Sequence, residues 1–383
     1  MPERRYRAGR YVRQLEGHSA FIPAPLPPDP PLDMDEELLA LLSDADRALG
    51  RLDGSIQTLP DPDLFVFMYV RKEAVLSSQI EGTQSSLNDV LEAEAAIADP
   101  ARPRDVGEVL NYVDAMNHGL SRLQDIPISV RLLKEIHEHL LANVRGADKQ
   151  PGELRRSQNW IGPSGATLLD ASFVPPPAHE VPNALGDLEN FLYTTEPMPA
   201  LVRIGLAHAQ LETIHPFLDG NGRMGRLLIT FLLCERGTLL KPVLYLSHYF
   251  KRHRTTYYEL LQNVRDEGDW ESWIKFFLRG MAEVSREATD TARSIVDLRE
   301  AHRSLIVNEF GRAAGNALMV LERLYSRPYI SVNQIAEIAG VTYPAASSLM
   351  DKFVKNGLLF EITGQARNRR YAYTPYISIF ALE

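Results

Sequence analysis

Apolar side chains recur three to four positions apart along most of this chain, the spacing of amphipathic helices rather than alternating strands. Leu201, Ile204, Leu206, Ala209 and Leu211 form one such stripe, and Leu227 to Cys234 another. The pattern predicts helices over about 35–49, 60–78, 86–97, 105–123, 129–144, 201–213, 222–236, 249–266 and 270–310. Pro60 sits near the start of the second, where first-turn sterics tolerate proline. Between 159 and 181 the period breaks. Gly162-Pro163-Ser164-Gly165 reads as a turn, and Ser172-Phe173-Val174-Pro175-Pro176-Pro177 as extended chain.

Both ends depart from the central pattern. Residues 1–34 are basic and then proline-rich from Phe21 to Pro31, which predicts an extended arm wrapping the surface. From about Gly315 a separate unit begins with a helix carrying Leu318, Val320 and Leu321. Ser331 is placed to N-cap a helix over 332–339, and Gly340-Val341-Thr342 turns into another over 343–356 that ends at Gly357. Strands are then predicted over 358–363 and 371–374, around a loop with Arg367, Arg369 and Arg370. Helix, turn, helix and basic hairpin resemble a winged helix-turn-helix, a module that binds DNA or docks proteins. Lys352 and Lys355 are offset by Asp351, so the loop arginines supply most of its positive charge.

Composition narrows the class. The 383 residues suffice for two or three domains. A net charge of -9 argues against a protein living mainly on nucleic acid or acidic membranes. The single cysteine, Cys234, sits in an apolar helical pattern, so no disulfide can form within the chain. No apolar run approaches a membrane span, and the basic start lacks an apolar signal region. The expectation is a soluble cytoplasmic protein without a membrane partner.

The chemistry concentrates in His215-Pro216-Phe217-Leu218-Asp219-Gly220-Asn221-Gly222-Arg223-Met224-Gly225-Arg226. A base, a carboxylate, small residues and two arginines directly precede an apolar helix. Free N–H groups at a helix start and its dipole favour an anion, and glycines let the backbone approach a phosphate. His215 can accept a proton near neutral pH. Asp219 can hold Mg²⁺ together with substrate phosphates. Arg223 and Arg226 can clamp phosphate oxygens. The embedded G-x-G-x-x-G follows a helical pattern, not a strand, and Pro242 to Leu246 ends without an acid, so a dinucleotide fold is excluded. No Gly-Lys-Ser/Thr follows for a P-loop, and Ile136-His137-Glu138-His139 lacks zinc spacing.

This stretch resembles the Fic family motif H-x-F-x-[DE]-G-N-G-R-x-x-R at every specified position. The resemblance implies a mainly α fold, a Fic-type helical core with a short β-hairpin flap. It implies transfer of AMP from ATP to a Ser, Thr or Tyr hydroxyl of a protein, the chain itself included. His215 would deprotonate that hydroxyl and Asp219 would hold Mg²⁺. Leu218, Gly220, Asn221, Gly222 and Arg223 would cradle the phosphates, Arg226 would take the γ-phosphate, and Phe217 would anchor the loop. Relatives that transfer phosphate carry Lys where Gly222 stands, which favours AMP transfer.

Ser77-Ser78-Gln79-Ile80-Glu81-Gly82 resembles the family's inhibitory motif [ST]-x-x-x-E-[GN]. It implies that Glu81, with Ser77, reaches Arg226 and denies ATP its charge; read without the resemblance, it is a solvated helix face. Arg155 to Trp160 and the following turn resemble the family's flap, which aligns a target segment by strand pairing. Tyr257 and Tyr258 stand where relatives contact the nucleotide, although paired tyrosines equally serve packing. The implied division is an arm (1–34), a helical region with the inhibitory motif (35–110), a catalytic domain (111–312) and a winged-helix-like domain (313–383). Implied partners are ATP, a protein substrate, a second copy of the chain, and DNA through the C-terminal unit. Removal of AMP from modified proteins and DNA-binding regulation stand as alternatives.

Overall fold

The computed structural model describes residues 4–57, 62–97, 101–163 and 165–381. Its helices in chain order are α1 (Glu36–Gln57), α2 (Pro62–Ile80), α3 (Leu87–Glu94), α4 (Val106–Arg122), α5 (Val130–Leu140), α6 (Val181–Tyr193), α7 (Ala200–Ile214) and α8 (Asn221–Glu235). They continue with α9 (Ser247–Arg252), α10 (Arg254–Glu267), α11 (Trp270–Glu309), α12 (Ala314–Leu324), α13 (Val332–Ala339), α14 (Tyr343–Lys355) and α15 (Thr374–Ile379). The strands are β1 (Gly9–Arg13), β2 (Ser19–Pro23), β3 (Tyr329–Ile330), β4 (Phe360–Glu361) and β5 (Tyr371–Ala372). The fold is mainly helical, as the periodicity requires.

Helices α7 and α8 are buried almost all round, including Arg203, His208, Glu212, Arg223 and Arg226. A helix apolar on every side belongs at the centre of a domain. The link between these two is residues 215–220, so the motif is held between the two most enclosed helices. Around them pack α2, α4, α5, α6, α10 and α11, with α1 lying along α11. Trp273 of α11 donates its indole N–H to the Gly205 carbonyl of α7 at 2.8 Å, which locks this crossing.

Several expectations change. The predicted helix over 249–266 is two, α9 and α10, broken at His253 with φ −111° and ψ 37°. Helix α6 arises in a stretch to which the pattern assigned no element, its first turn led by Pro182. Val243 to Leu246 are buried, and among the described residues this stretch joins no sheet. Pro60 and Ser164 lie outside the described residues, and Pro62 leads α2.

The N-terminal arm is more than a surface wrap. β1 and β2 form an antiparallel hairpin that buries Ala20 and Phe21. Phe21 donates its backbone N–H to Val174 at 2.9 Å, tying the hairpin to the flap. Arg7 is buried and pairs with Glu271 of α11 at 3.1 Å.

The C-terminal unit runs α12, β3, α13, α14, β4, β5, with antiparallel strand order β3-β5-β4. Ser331 caps α13 in a box with Gln334, and Gly340 ends it at φ 63°. The strands at 358–363 and 371–374 shrink to two residues each, the second cut short where Thr374 with Pro375 starts α15. This unit is anchored rather than free: Phe380 packs edge-on against Tyr69 of α2 at 5.4 Å. Tyr373 meets His302 of α11 at 2.7 Å. Helix α4 runs unbroken across the 110/111 division drawn from sequence.

Candidate functional site

Helix α7 ends at His215, which adopts the left-handed conformation at φ 49° and ψ 61°. A non-glycine residue held there is strained, and such strain persists where surrounding contacts enforce it. Here Arg155 enforces it. Its buried guanidinium donates to the carbonyls of His215 (2.9 Å), Pro176 (2.5 Å) and Ile214 (3.3 Å). Its own backbone N–H donates to Pro216 O at 3.0 Å. Asn159 adds a bond to Phe217 O at 2.8 Å. The flap expected after residue 155 reduces to one antiparallel bridge, Ile161 with Phe173.

The loop is closed by Asn221, whose amide accepts from Phe217 N (2.9 Å) and donates to Phe217 O (2.8 Å). Phe217 is buried and stacks on the His137 ring at 3.8 Å between centroids. His137 has a single workable tautomer. Its Nδ1 accepts the Gly152 N–H at 2.9 Å, so Nε2–H donates to the Asp219 carbonyl at 3.0 Å. Burial pushes its imidazole down to about 4, which keeps that arrangement neutral. The histidine discounted as a zinc ligand is the floor of the loop.

A cleft of about 360 Å³ opens here, lined by Glu81, Arg145, His215, Leu218, Asp219, Gly220, Asn221, Gly222 and Arg223. Gly220 N-caps α8 at φ 77°, a conformation that costs glycine little. Burial, then the charges of Arg265 and Arg155, push the His215 imidazole down to about 3. Its Nδ1 faces the Glu212 carbonyl at 3.4 Å, which leaves Nε2 as the free acceptor. A neutral imidazole lining the same cleft as Arg223 and the start of α8 can act as a base.

Arg226 is buried and fully engaged on one side. Nε donates to Ser77 Oγ at 2.8 Å, and Nη2 donates to Ser77 O at 3.0 Å and Glu81 Oε1 at 2.6 Å. Among the described residues its Nη1 has no partner. Burial opposes charge on both groups. The mutual attraction outweighs it, lowering the Glu81 carboxyl and raising the Arg226 guanidinium. A Cβ at Gly222 would collide with Glu81 Oε1, so the glycine makes room for this clasp. Arg223 pairs with the buried Glu108 at 3.3 Å, and Arg145 holds the same carboxylate at 3.2 Å.

Tyr257 does not face the cleft. Its ring is buried and its hydroxyl meets His208 Nε2 at 2.9 Å, so its work is packing behind α8. Tyr258 is 38% exposed, with Arg254 over its ring at 5.2 Å. Sequence reading missed Arg145 and Glu108, which join the site only through the packing of distant segments, and Glu212, one turn before His215; it placed Arg155 in the flap without its clamp on the His215 carbonyl. Glu212 is buried beside Gly225, and burial, against the pull of Arg226, pushes its carboxyl up to about 7.

Comparison with known proteins agrees with this geometry. The Fic/DOC family N-terminal profile matches residues 39–121 and the Fic/DOC family profile matches residues 127–233. The protein adenylyltransferase Fic of Aedes aegypti is 30% identical over 258 residues, 64% of this chain and 44% of that protein. That of Culex quinquefasciatus is 32% identical over 205 residues, 51% of this chain and 37% of that protein. The chain thus spans less than half the length of these relatives. A Fic family protein from Desulfovibrio desulfuricans shares the fold with a TM-score of 0.59 at 21% identity, covering 90% of this chain and 97% of that one. With both segments matched and the motif assembled around one cleft, the chain belongs to the Fic/DOC family.

Proposed function

We propose that this chain is a protein adenylyltransferase restrained by its own Glu81. The observation that carries the reading is one cleft lined by the neutral His215, Asp219, Arg223 and Glu81, with Arg226 held behind it on Glu81. In the reaction, His215 Nε2 takes the proton of a Ser, Thr or Tyr hydroxyl on the target protein. The hydroxyl oxygen bonds to the α-phosphorus of ATP as the α–β phosphoanhydride bond breaks, and pyrophosphate leaves. Main-chain N–H groups at the start of α8, with Arg223, stabilise the charge on the departing oxygens. Tyr258, rather than Tyr257, offers an outward ring for the adenine.

Mg²⁺ fits the donor set. Asp219 presents one carboxylate at the cleft, its Oδ1 already accepting Gly220 N–H at 2.6 Å, and Mg²⁺ takes one or two carboxylates plus phosphates. When bound, it would supply charge neutralisation to the phosphates. Among the described residues, no cluster of three His, Cys, Asp or Glu side chains suits a metal held by protein alone.

The test is mass spectrometry of the full chain and added proteins after incubation with ATP and Mg²⁺. An added mass of AMP, larger in Glu81→Gly, supports the reading; no adduct in either protein removes it. A second reading rests on Glu81 and His215 lining the same cleft. With Glu81 orienting a water, the same site would release AMP from modified proteins, detected as AMP freed from a labelled target.

For the C-terminal unit we propose a winged helix-turn-helix, on the order of its helices and its antiparallel strands. Exposed Arg367 and Arg369 in the β4–β5 loop suit phosphate contacts, and a salt-dependent mobility shift with duplex DNA tests it. Among the described residues, no helix is long and apolar enough to cross a membrane. Cytoplasmic residence and pairing with a second copy remain proposals, the latter checked by light scattering.

A further inference from the structure

A cavity of about 520 Å³ lies away from the cleft, between α2 and the C-terminal unit. Helix α2 contributes Lys72, Val75, Leu76 and Gln79, one face at helical spacing. Ser77, which holds Arg226, lies on the opposite face of the same helix, and Glu81, its second partner, follows the last residue of that helix. The far wall includes Ile377 and Phe380 around α15. The cavity is therefore mostly apolar, with an ammonium group in its wall.

Lys72 is the unusual member. It is 6% exposed, and among the described residues its Nζ has no hydrogen bond or ion pair. Its neighbour is the face of Tyr245, 4.1 Å from Nζ to the ring centroid. The carboxylate that couples to it, Glu287, is spent on His248 at 3.1 Å and Arg252 at 3.4 Å. Burying an ammonium without a partner is costly, and one ring face offsets little of it. Burial accordingly pushes the Lys72 amine down to about 8. A second cation, Lys251, stands at the rim and donates to Gln79 Oε1 at 2.6 Å. One carboxylate, Glu92, also lines the cavity and lies 3.9 Å from Arg102.

We propose that this cavity binds a small organic monocarboxylate, its anionic end on Lys72 and its apolar body against Val75, Ile362 and Ile377. The volume falls within the range of small-molecule pockets, and the lining has the usual form of apolar walls with few polar groups. A carboxylate is the group that a lone ammonium in an apolar wall lacks. The site is independent of the ATP cleft and of the activity assigned to it.

The probes are hexanoate and benzoate, with hexanamide and benzamide as uncharged controls, observed by saturation-transfer NMR on the full chain. Both acids are expected to bind the wild type at least about tenfold more tightly than the amides. Lys72→Met keeps the side-chain volume and should weaken the acids about tenfold or more. Ser378→Trp, at an exposed lining position, should block the cavity if Lys72→Met fails to fold. Absence of acid binding to the wild type overturns the proposal. So does equal binding of acid and amide, or acid binding that survives either folded variant.

Discussion

Glu81 Oε1 and Arg226 Nη2 meet at 2.6 Å across 145 positions of sequence. The arginine is buried, whereas a third of the glutamate side chain faces solvent. The pair thus sets Glu81 in the wall of the cleft that holds His215, on a residue just past the last residue of α2. Gly82 beyond it, at φ 96°, allows the chain to turn away there.

His215→Ala is expected to lower AMP transfer by about 10²–10⁴-fold while nucleotide affinity changes little. The phosphate-facing groups come from the α8 start and the arginines, which the substitution leaves in place. The pH profile of the wild type supplies a second check. With its imidazole pushed down to about 3, His215 stays unprotonated through the neutral range. The rate should therefore show no acid limb near 6.5. Nucleotide affinity is read by calorimetry, and unchanged turnover in His215→Ala would remove the base assignment.

Glu212→Gln is expected to gain stability on the alkaline side. Burial holds the Glu212 carboxyl protonated up to about pH 7, whereas in the unfolded chain it ionises near 4.5. The folded state binds the proton more tightly, so this contribution is complete below about 4.5 and is lost as pH rises through about 7. The difference in unfolding free energy, variant minus wild type, should grow by roughly 2–4 kcal/mol across that window and then level off. Denaturant unfolding at pH 4.5, 6 and 8 measures it. A constant difference would mean that Glu212 is ionised throughout.

Much of this was legible in the chain. The period of Leu201 to Leu211, the helix starts placed at Ser86 and Ser129, which prove to be their N-caps, and the cap expected at Ser331 mark helices within a few residues of where they begin. The motif and Glu81 are local signatures whose partners the family resemblance implied. The rest depends on contacts that no local pattern records. Nothing near Arg155 in sequence indicates that it will clamp the His215 carbonyl, 60 positions away. Nothing near Glu108 indicates that it will serve both Arg145 and Arg223. Tyr257 and Tyr258 are adjacent on a helix, so one turns inward to His208 and the other outward, and composition alone cannot assign which. Helix α6 stayed hidden because prolines at 175–177 and 182 dominate the signal there.

Phe380→Ala is expected to destabilise the whole chain by about 3–5 kcal/mol, as loss of a buried aromatic does. Phe380 is buried against Tyr69 of α2 and Tyr376. Because this contact joins the C-terminal unit to the helix that carries Ser77, truncation after residue 312 should lower the unfolding midpoint of the remaining helical core as well. Two independent transitions in calorimetry, with the core midpoint unchanged, would instead describe a free module.

Glu81→Gly is expected to raise AMP transfer, and the gain should require Arg226. In the wild type the glutamate occupies the guanidinium edge that a γ-phosphate needs. A charge-assisted bond of this kind is worth about 1.5–3 kcal/mol, and Glu81's exposure places it toward the lower figure. Its loss should therefore increase productive ATP binding by roughly 10-fold or somewhat more. Arg226 keeps its two bonds to Ser77, so it stays positioned when Glu81 is gone. In Glu81→Gly/Arg226→Ala the gain should vanish, since the residue that Glu81 restrained is the one ATP uses. The two substitutions must then be strongly non-additive. Self-modification at fixed ATP, quantified by intact mass for all four combinations, provides the cycle. Additive effects, or no activation by Glu81→Gly alone, would leave the Glu81–Arg226 pair as a structural contact without a regulatory role.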